Sequence, residues 1–221
     1  MKPLISILIT NYNKEKYITY ILGVLLNHNT SDIEIILIDD ASTDSSLKTI
    51  NDFLAEMEEF KQDNIYIIKH SVNKGVAYTK QEALDMAKGD FFIYLDADDF
   101  ISEDYVETLT SYAKSNKGLI YNFGVRMYPC GTTVQFSFSL WNKLFSKKVI
   151  SLYDFKFNTN LKNMDDVEVW NRISTNYPEI YDNIVYVDKI IYFYNILSDN
   201  TLTHTKSLWY QTMNDLKEEC K

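Results

Sequence analysis

Three short apolar runs, each closed by polar or acidic residues and separated by segments of helical period, leave this chain few ways to fold. Residues 4–9, 33–38 and 91–95 are nearly continuous in apolar side chains, as strands are when both faces of their sheet are covered. Residues 14–27 put Ile18, Ile21, Leu22 and Leu25 on one helical face. A second helix carries Leu47, Ile50, Leu54 and Met57, with Thr43 or Asp44 as its cap. Residues 65–68 read as a third strand. After the turn at Asn73-Lys74-Gly75, a helix over 76–88 gathers Val76, Ala83, Leu84 and Ala87 and ends at Gly89. Strand and helix in alternation predict an α/β fold around a mostly parallel, Rossmann-like sheet.

Two of these strands end in carboxylates. The run 33–38 leads into Asp39-Asp40, and 91–95 into Asp96-Ala97-Asp98-Asp99. Charges this dense are rarely buried unless they are paired or bind metal. A solvated acidic turn leading into the next helix would account for the second cluster alone. In a parallel sheet, however, the carboxyl ends of the strands share one edge, which is where open α/β sheets bind ligands. Both clusters therefore face one crevice, and the functional reading is favoured.

The net charge of −9 argues against nucleic acid as the main partner, which requires a basic footprint. It does not exclude a single nucleotide held through a metal ion. The two cysteines, Cys130 and Cys220, form no pair motif, so reduced thiols are expected. The first strand begins at once, and no apolar run reaches the about 18 residues of a membrane span. A cytoplasmic protein, at most peripheral at a membrane, is expected.

Beyond Asp99 the pattern changes. A helix is predicted over 102–115, a strand over 119–125, and an alternating strand over 132–138 continued by Trp141-Asn142-Lys143-Leu144-Phe145. Asp165-Asp166 opens another helix. Residues 184–187 and 190–194 read as two short strands joined by Asp188-Lys189, and a last helix spans 205–219. Residues 100–221 thus form a mixed α+β extension of 1–99 within one domain and one continuous sheet.

Seven segments, taken in order, resemble the successive motifs of family 2 glycosyltransferases, the inverting nucleotide-sugar enzymes of the GT-A fold. They are Ser6-Ile7-Leu8-Ile9-Thr10-Asn11-Tyr12-Asn13, Ile38-Asp39-Asp40-Ala41-Ser42-Thr43-Asp44, Asn73-Lys74-Gly75-Val76-Ala77, Leu95-Asp96-Ala97-Asp98-Asp99, Trp141-Asn142-Lys143-Leu144-Phe145, Met164-Asp165-Asp166 and Tyr192-Phe193-Tyr194. The resemblance runs to about His204. Against the family pattern, Ala41 stands for Gly, Lys80 for a frequent Arg, Asp165 for a frequent Glu, and Asn195 for a common Arg.

The resemblance implies a glycosyltransferase with residues 1–99 as its nucleotide-sugar half and 100–221 as its acceptor-side half. The donor is expected to be UDP-linked, and the acceptor a hydroxyl of a glycan, glycolipid or glycoprotein. Mn²⁺ or Mg²⁺ neutralises the leaving diphosphate, and such hard ions take oxygen ligands. By analogy Asp98 is the principal metal ligand, with Asp96 near the ribose and Asp99 in support. Tyr12 offers a stacking face for the base, Asp40 an acceptor for the uracil N3–H, Thr10 a further contact, and Lys80 a positive charge. Asp39 either joins this set or is structural, pairing with Lys80 or capping a loop. Asp166 is the expected general base, with Asp165 as helix cap. Trp141 is a sugar platform or core, and His204 a surface residue or one that reaches the diphosphate.

Two rivals stand beside this reading. A nucleotidyltransferase would carry a Gly-rich, Arg-bearing loop where this chain has Thr10-Asn11-Tyr12-Asn13. A non-catalytic nucleotide- or carbohydrate-binding module would keep the donor site without turnover.

Overall fold

A computed structural model describes residues 2–28, 30–57, 64–134 and 138–198. Strand β1 (Ile5–Asn11) leads through a turn into helix α1 (Ile18–Leu26). There follow β2 (Ile33–Asp39), α2 (Ser46–Glu56), β3 (Ile65–Lys69), α3 (Val76–Met86) and β4 (Phe91–Asp96). Then come β5 (Phe100–Ile101), α4 (Tyr105–Ser115), β6 (Ile120–Tyr128), β7 (Thr133–Val134), β8 (Lys143–Ser146), α5 (Lys148–Leu152), α6 (Asp165–Asn176) and β9 (Ile184–Asn195).

The strands form one sheet in the order β3-β2-β1-β4-β8-β6-β9-β5, with β7 on β6. The first four are parallel, as their helical crossovers require. Strand β8 pairs antiparallel with both β4 and β6, joining the two halves. The expected α/β, GT-A type architecture with a mixed extension is the observed one.

Side-chain alternation explains the two cores. Ile5, Ile7 and Ile9 of β1 face α1 and α2, whose Ile18, Ile21, Leu22, Leu25 and Ile50 join the same cluster. Leu8 faces the other way, into a cluster with Ala83 and Leu84 of α3 and Val169, Trp170 and Ile173 of α6. Each of the fully buried β1 isoleucines contributes about 1.5–3 kcal/mol relative to exposure. At the amino edge of the sheet, buried Glu34 accepts from Ser6 Oγ, Lys88 N and Gly89 N. A Cβ on Gly89 would lie 2.7 Å from both the Phe91 carbonyl and the Ser6 nitrogen, so only glycine fits this crossing. Helix α3 has already ended at Met86, short of the predicted stop at Gly89.

The second half departs from expectation at two places. Within 132–138, Thr133–Val134 form β7, and residues 135–137 lie outside the described residues. Residues 141–145 do not continue that strand. The chain turns at 139–142, because Asn142 Nδ2 donates to Asn122 Oδ1 and to the Phe123 carbonyl, and β8 starts afresh. The two short strands around Asp188-Lys189 are one strand: Phe123 pairs with Val187 and Gly124 with Ile190, so the two intervening residues bulge without ending it. The predicted 205–219 helix lies outside the described residues. Among the described residues no helix is long and apolar enough to cross a membrane.

Candidate active site

Register brings the acidic strand ends together. Thr10 of β1 lies opposite Ile38 on one side and Asp96 on the other, and Asn11 lies opposite Asp39. Just beyond β1, Tyr12 is 44% exposed at this carboxyl edge, as a stacking platform requires. Asn13, at φ 54°, accepts Thr43 N–H at 2.7 Å and Asp44 N–H at 3.3 Å through its side chain. Its own N–H donates to Ser42 Oγ at 2.9 Å, so the loops after β1 and β2 form one body.

Asp39 and Asp40 separate clearly. Asp39 is fully buried and accepts from Asn11 Nδ2, Ser42 N and Ser42 Oγ, which makes it the loop cap. The alternative pairing of Asp39 with Lys80 does not occur, since Lys80 turns to α6. Asp40 accepts Lys74 N–H and Gly75 N–H, each at 2.8 Å, at the start of α3. Gly75, at φ 91°, adopts a backbone that other residues resist. His70 lies with Nδ1 2.7 Å from Asp40 and Nε2 2.6 Å from Glu82. Asp40 is therefore rigidly held; its carboxylate has about four lone-pair sites, of which these partners fill three.

The acidic loop after β4 divides its carboxylates by role. Asp98 lies 2.6 Å from Lys14 Nζ and accepts from Ser198 Oγ. Asn195 Nδ2 donates to the Asp98 carbonyl at 2.9 Å, so the residue standing at the family's Arg position holds the loop instead. Asp99 is 2% exposed and accepts Asn195 N–H and the Tyr192 hydroxyl, which commits both oxygens to anchoring β9. Burial, with Asp98 and Asp96 nearby, raises its pKa well above the ordinary value. Asp96 is raised by burial, which the Lys80 ammonium opposes and Asp98 reinforces.

Lys80 joins the halves. It is 4% exposed on α3, donates to Asp166 Oδ1 at 2.7 Å, and pairs with Asp165 Oδ2 at 2.9 Å, outside hydrogen-bond geometry. Burial alone would lower it, but Asp165, Asp166 and Asp96 together hold it well above the usual lysine range. Asp166 also accepts Leu140 N–H at 3.2 Å. Burial raises the Asp166 carboxyl to about 7; Lys80 opposes this, while Asp165 and Asp96 add to it. On Asp165 burial acts upward too, but Lys80 and local hydrogen bonds outweigh it and leave the group low. Two adjacent carboxylates that share one ammonium thus titrate apart, Asp165 held low and Asp166 raised toward neutrality.

Trp141 is core: 6% exposed, it stacks on Tyr192 at 4.6 Å and on Tyr194 at 5.4 Å between ring centroids. His204 lies outside the described residues. Sequence reasoning missed Lys14 and His70, because nothing local marks a cation or imidazole whose carboxylate partner comes from another element, and Lys143, whose amine is held by the Ser139 carbonyl and Asn142 Oδ1.

The model for "Glycosyl transferase family 2" matches residues 6–176. Poly(ribitol-phosphate) beta-glucosyltransferase of Bacillus spizizenii is 34% identical over 116 residues, 51% of this chain and 18% of that protein. Residues 1–349 of Staphylococcus aureus TarS, solved in complex with UDP-GlcNAc, superpose with a TM-score of 0.76 at 20% identity, covering 99% of this chain and 66% of that one. Glucosyl-3-phosphoglycerate synthase of Mycobacterium tuberculosis, solved with Mn²⁺, UDP and phosphoglyceric acid, gives 0.67 at 14% identity, covering 99% and 78%. The chain spans less than half the length of the curated relatives it matches first, at 37%, 44% and 35%. With the family model spanning most of the chain and the fold agreeing, the chain belongs to glycosyl transferase family 2.

Proposed function

We propose that this chain transfers a sugar from a UDP-linked donor to a hydroxyl of a glycan or glycoconjugate, with inversion, a divalent metal, and Asp166 as general base. The observation that carries this reading is the Asp166 carboxyl: fixed by Lys80 and Leu140, raised to about 7, and facing the acidic edge through Asp96. A base near neutrality is matched to taking a hydroxyl proton, an effect of about 10²–10⁴-fold. UDP-GlcNAc in TarS, Mn²⁺ with UDP in the phosphoglycerate synthase, and a poly(ribitol-phosphate) glucosyltransferase among the relatives support donor, metal and acceptor class.

Tyr12 would stack on the base, Asp40 read its edge, Thr10 add a contact, and Asp96 meet the ribose. Asp166 takes the acceptor proton as the acceptor oxygen bonds to C1 and the C1–diphosphate bond breaks. Asp98 would hold the metal. The fit rests on two facts: Asp98 already carries a cation, the Lys14 ammonium, and its donors are hard oxygens. Among the described residues no group of three or more Asp, Glu, His or Cys is gathered to hold a metal. That suits Mg²⁺ or Mn²⁺, which use one or two carboxylates plus substrate phosphates. When bound, the ion supplies Lewis-acid neutralisation of the departing diphosphate.

The test is UDP release and sugar transfer from UDP-glucose, UDP-galactose and UDP-N-acetylglucosamine, with and without Mn²⁺. Donor protection and turnover that both require metal are expected. UDP binding without turnover would instead make this chain a binding module.

A further inference from the structure

Lys143 lies in β8 with no exposed surface. Its Nζ donates to the Ser139 carbonyl at 2.6 Å and to Asn142 Oδ1 at 3.0 Å, and stands 5.2 Å from the Trp170 ring centroid. Trp170 follows Asp166 by one turn of α6. Sugar transfer as proposed makes no use of this amine. A methionine of similar reach would fill the same space without the desolvation cost of an amine. What the lysine adds is a grip on the 139–143 turn.

That turn touches the base. The Leu140 N–H that donates to Asp166 Oδ2 belongs to the same peptide unit as the Ser139 carbonyl held by Lys143. A trans peptide is planar, with C=O and N–H pointing in opposite directions. Fixing the carbonyl therefore fixes the direction of the N–H. Asn142 locks the rest of the turn, accepting from Ser139 Oγ at 2.8 Å and donating to Asn122 at 2.8 Å.

We propose that Lys143 is a positioning residue for the base: it sets the Ser139–Leu140 peptide plane, and through it the orientation of the Asp166 carboxylate. This rests on the reading of Asp166 as base. The charged groups facing Asp166 are Lys80 of α3, Asp165 of α6, Asp96 of β4 and Lys143 of β8. Burial lowers the Lys143 amine to about 7, with Asp166 opposing, so the two groups titrate in the same range. The carbonyl contact survives loss of the proton, because a neutral amine keeps two donors. The charge does not survive it, and removing that charge raises Asp166 further.

Lys143→Met keeps the stem and deletes the donors, while Lys143→Gln keeps an uncharged amide N–H donor group on a shorter stem. UDP release from the three UDP-sugars is followed against pH, with UDP affinity measured in parallel. Lys143→Met should lower kcat about 10–100-fold, move the acidic limb to higher pH, and leave UDP affinity and donor KM within about twofold. Lys143→Gln should recover part of kcat. The Asp166→Asn/Lys143→Met double variant should be no slower than Asp166→Asn alone. An ester in place of the Ser139–Leu140 amide, which removes that N–H and weakens the Ser139 carbonyl as an acceptor, should reproduce the kcat loss; a kcat within twofold of the parent would overturn the peptide link if the side-chain variants do not fold. A kcat and acidic limb within twofold of the parent, with Asp166→Asn inactive, would overturn the Lys143 role and leave the base in place. An active Asp166→Asn would overturn the base reading itself.

Discussion

Lys14, in the turn after β1, places its Nζ 2.6 Å from an Asp98 carboxylate oxygen and 3.1 Å from Ser198 Oγ. Both ion-pair side chains are mostly buried, at 12% and 15% exposure. The residue proposed to hold a divalent cation is therefore already neutralised by a monovalent one. Lys14→Met should destabilise the metal-free protein by about 1–3 kcal/mol, because Asp98 loses its counter-charge. Mn²⁺ should then raise Tm more in the variant than in the parent, since it no longer displaces an ammonium. Equal Mn²⁺ shifts in thermal melts of both proteins would mean that lysine and metal do not share Asp98.

Asp166 supports opposite pH trends in rate and stability. With its carboxyl raised to about 7, the unprotonated base accumulates, and kcat rises, as pH passes through that region. In stability the sign reverses. The folded state keeps a proton that the unfolded carboxyl, near ~3.9, has released, so this group weakens the fold as pH climbs from about 4 through 7. Asp166→Asn should cost about 10²–10⁴ in kcat, leave UDP affinity intact, and raise Tm more at pH 8 than at pH 5. Paired rate profiles and melts check both signs.

Lys80 is the counter-charge for two buried carboxylates. Lys80→Met should cost about 3–5 kcal/mol in urea denaturation, as removal of one member from a buried ion cluster does. Adding Asp165→Asn should restore a large part of this loss. A Lys80→Met cost below about 1 kcal/mol would show the cluster to be solvated.

Ala41 holds a left-handed φ of 60° where the family motif has glycine. The Cβ penalty there is about 1–2 kcal/mol, offset in a glycine variant by about 0.4–1 kcal/mol of extra unfolded-state freedom. Ala41→Gly should therefore stabilise by about 0.5–1 kcal/mol, a Tm rise of about 1–4 °C. A lower Tm would mean that the alanine methyl packs against something more valuable than the strain it causes.

The first half was legible because parallel strands and crossover helices announce themselves by apolar period. The facing of Asp39/Asp40 and Asp96/Asp98/Asp99 followed from topology alone, but the α2 N-cap is Ser45, not Thr43 or Asp44; Asp44 stands one residue before it, its Oδ1 accepting Ser46 N–H at 2.9 Å. The second half was less legible. The 139–142 turn depends on Asn142 reaching Asn122, and the unbroken β9 depends on a bulge matched to β6, neither of which leaves a periodic trace. Side-chain roles within the acidic loop were not legible either. Asp99 and Asp98 are neighbours of one residue type, and partners from elsewhere in the chain tell them apart: Tyr192 and Asn195 for Asp99, Lys14 and Ser198 for Asp98.

The Lys80 contact also restricts how such enzymes can be recombined. Its cation is carried by α3, before residue 100, while both carboxylates that neutralise it come from beyond residue 100. A chimera that imports a new segment beyond residue 100 must also import an acidic pair in register with α3, or it inherits an orphaned buried ammonium. Sequence change in α6 is therefore most constrained at Asp165 and Asp166, the two residues that open it.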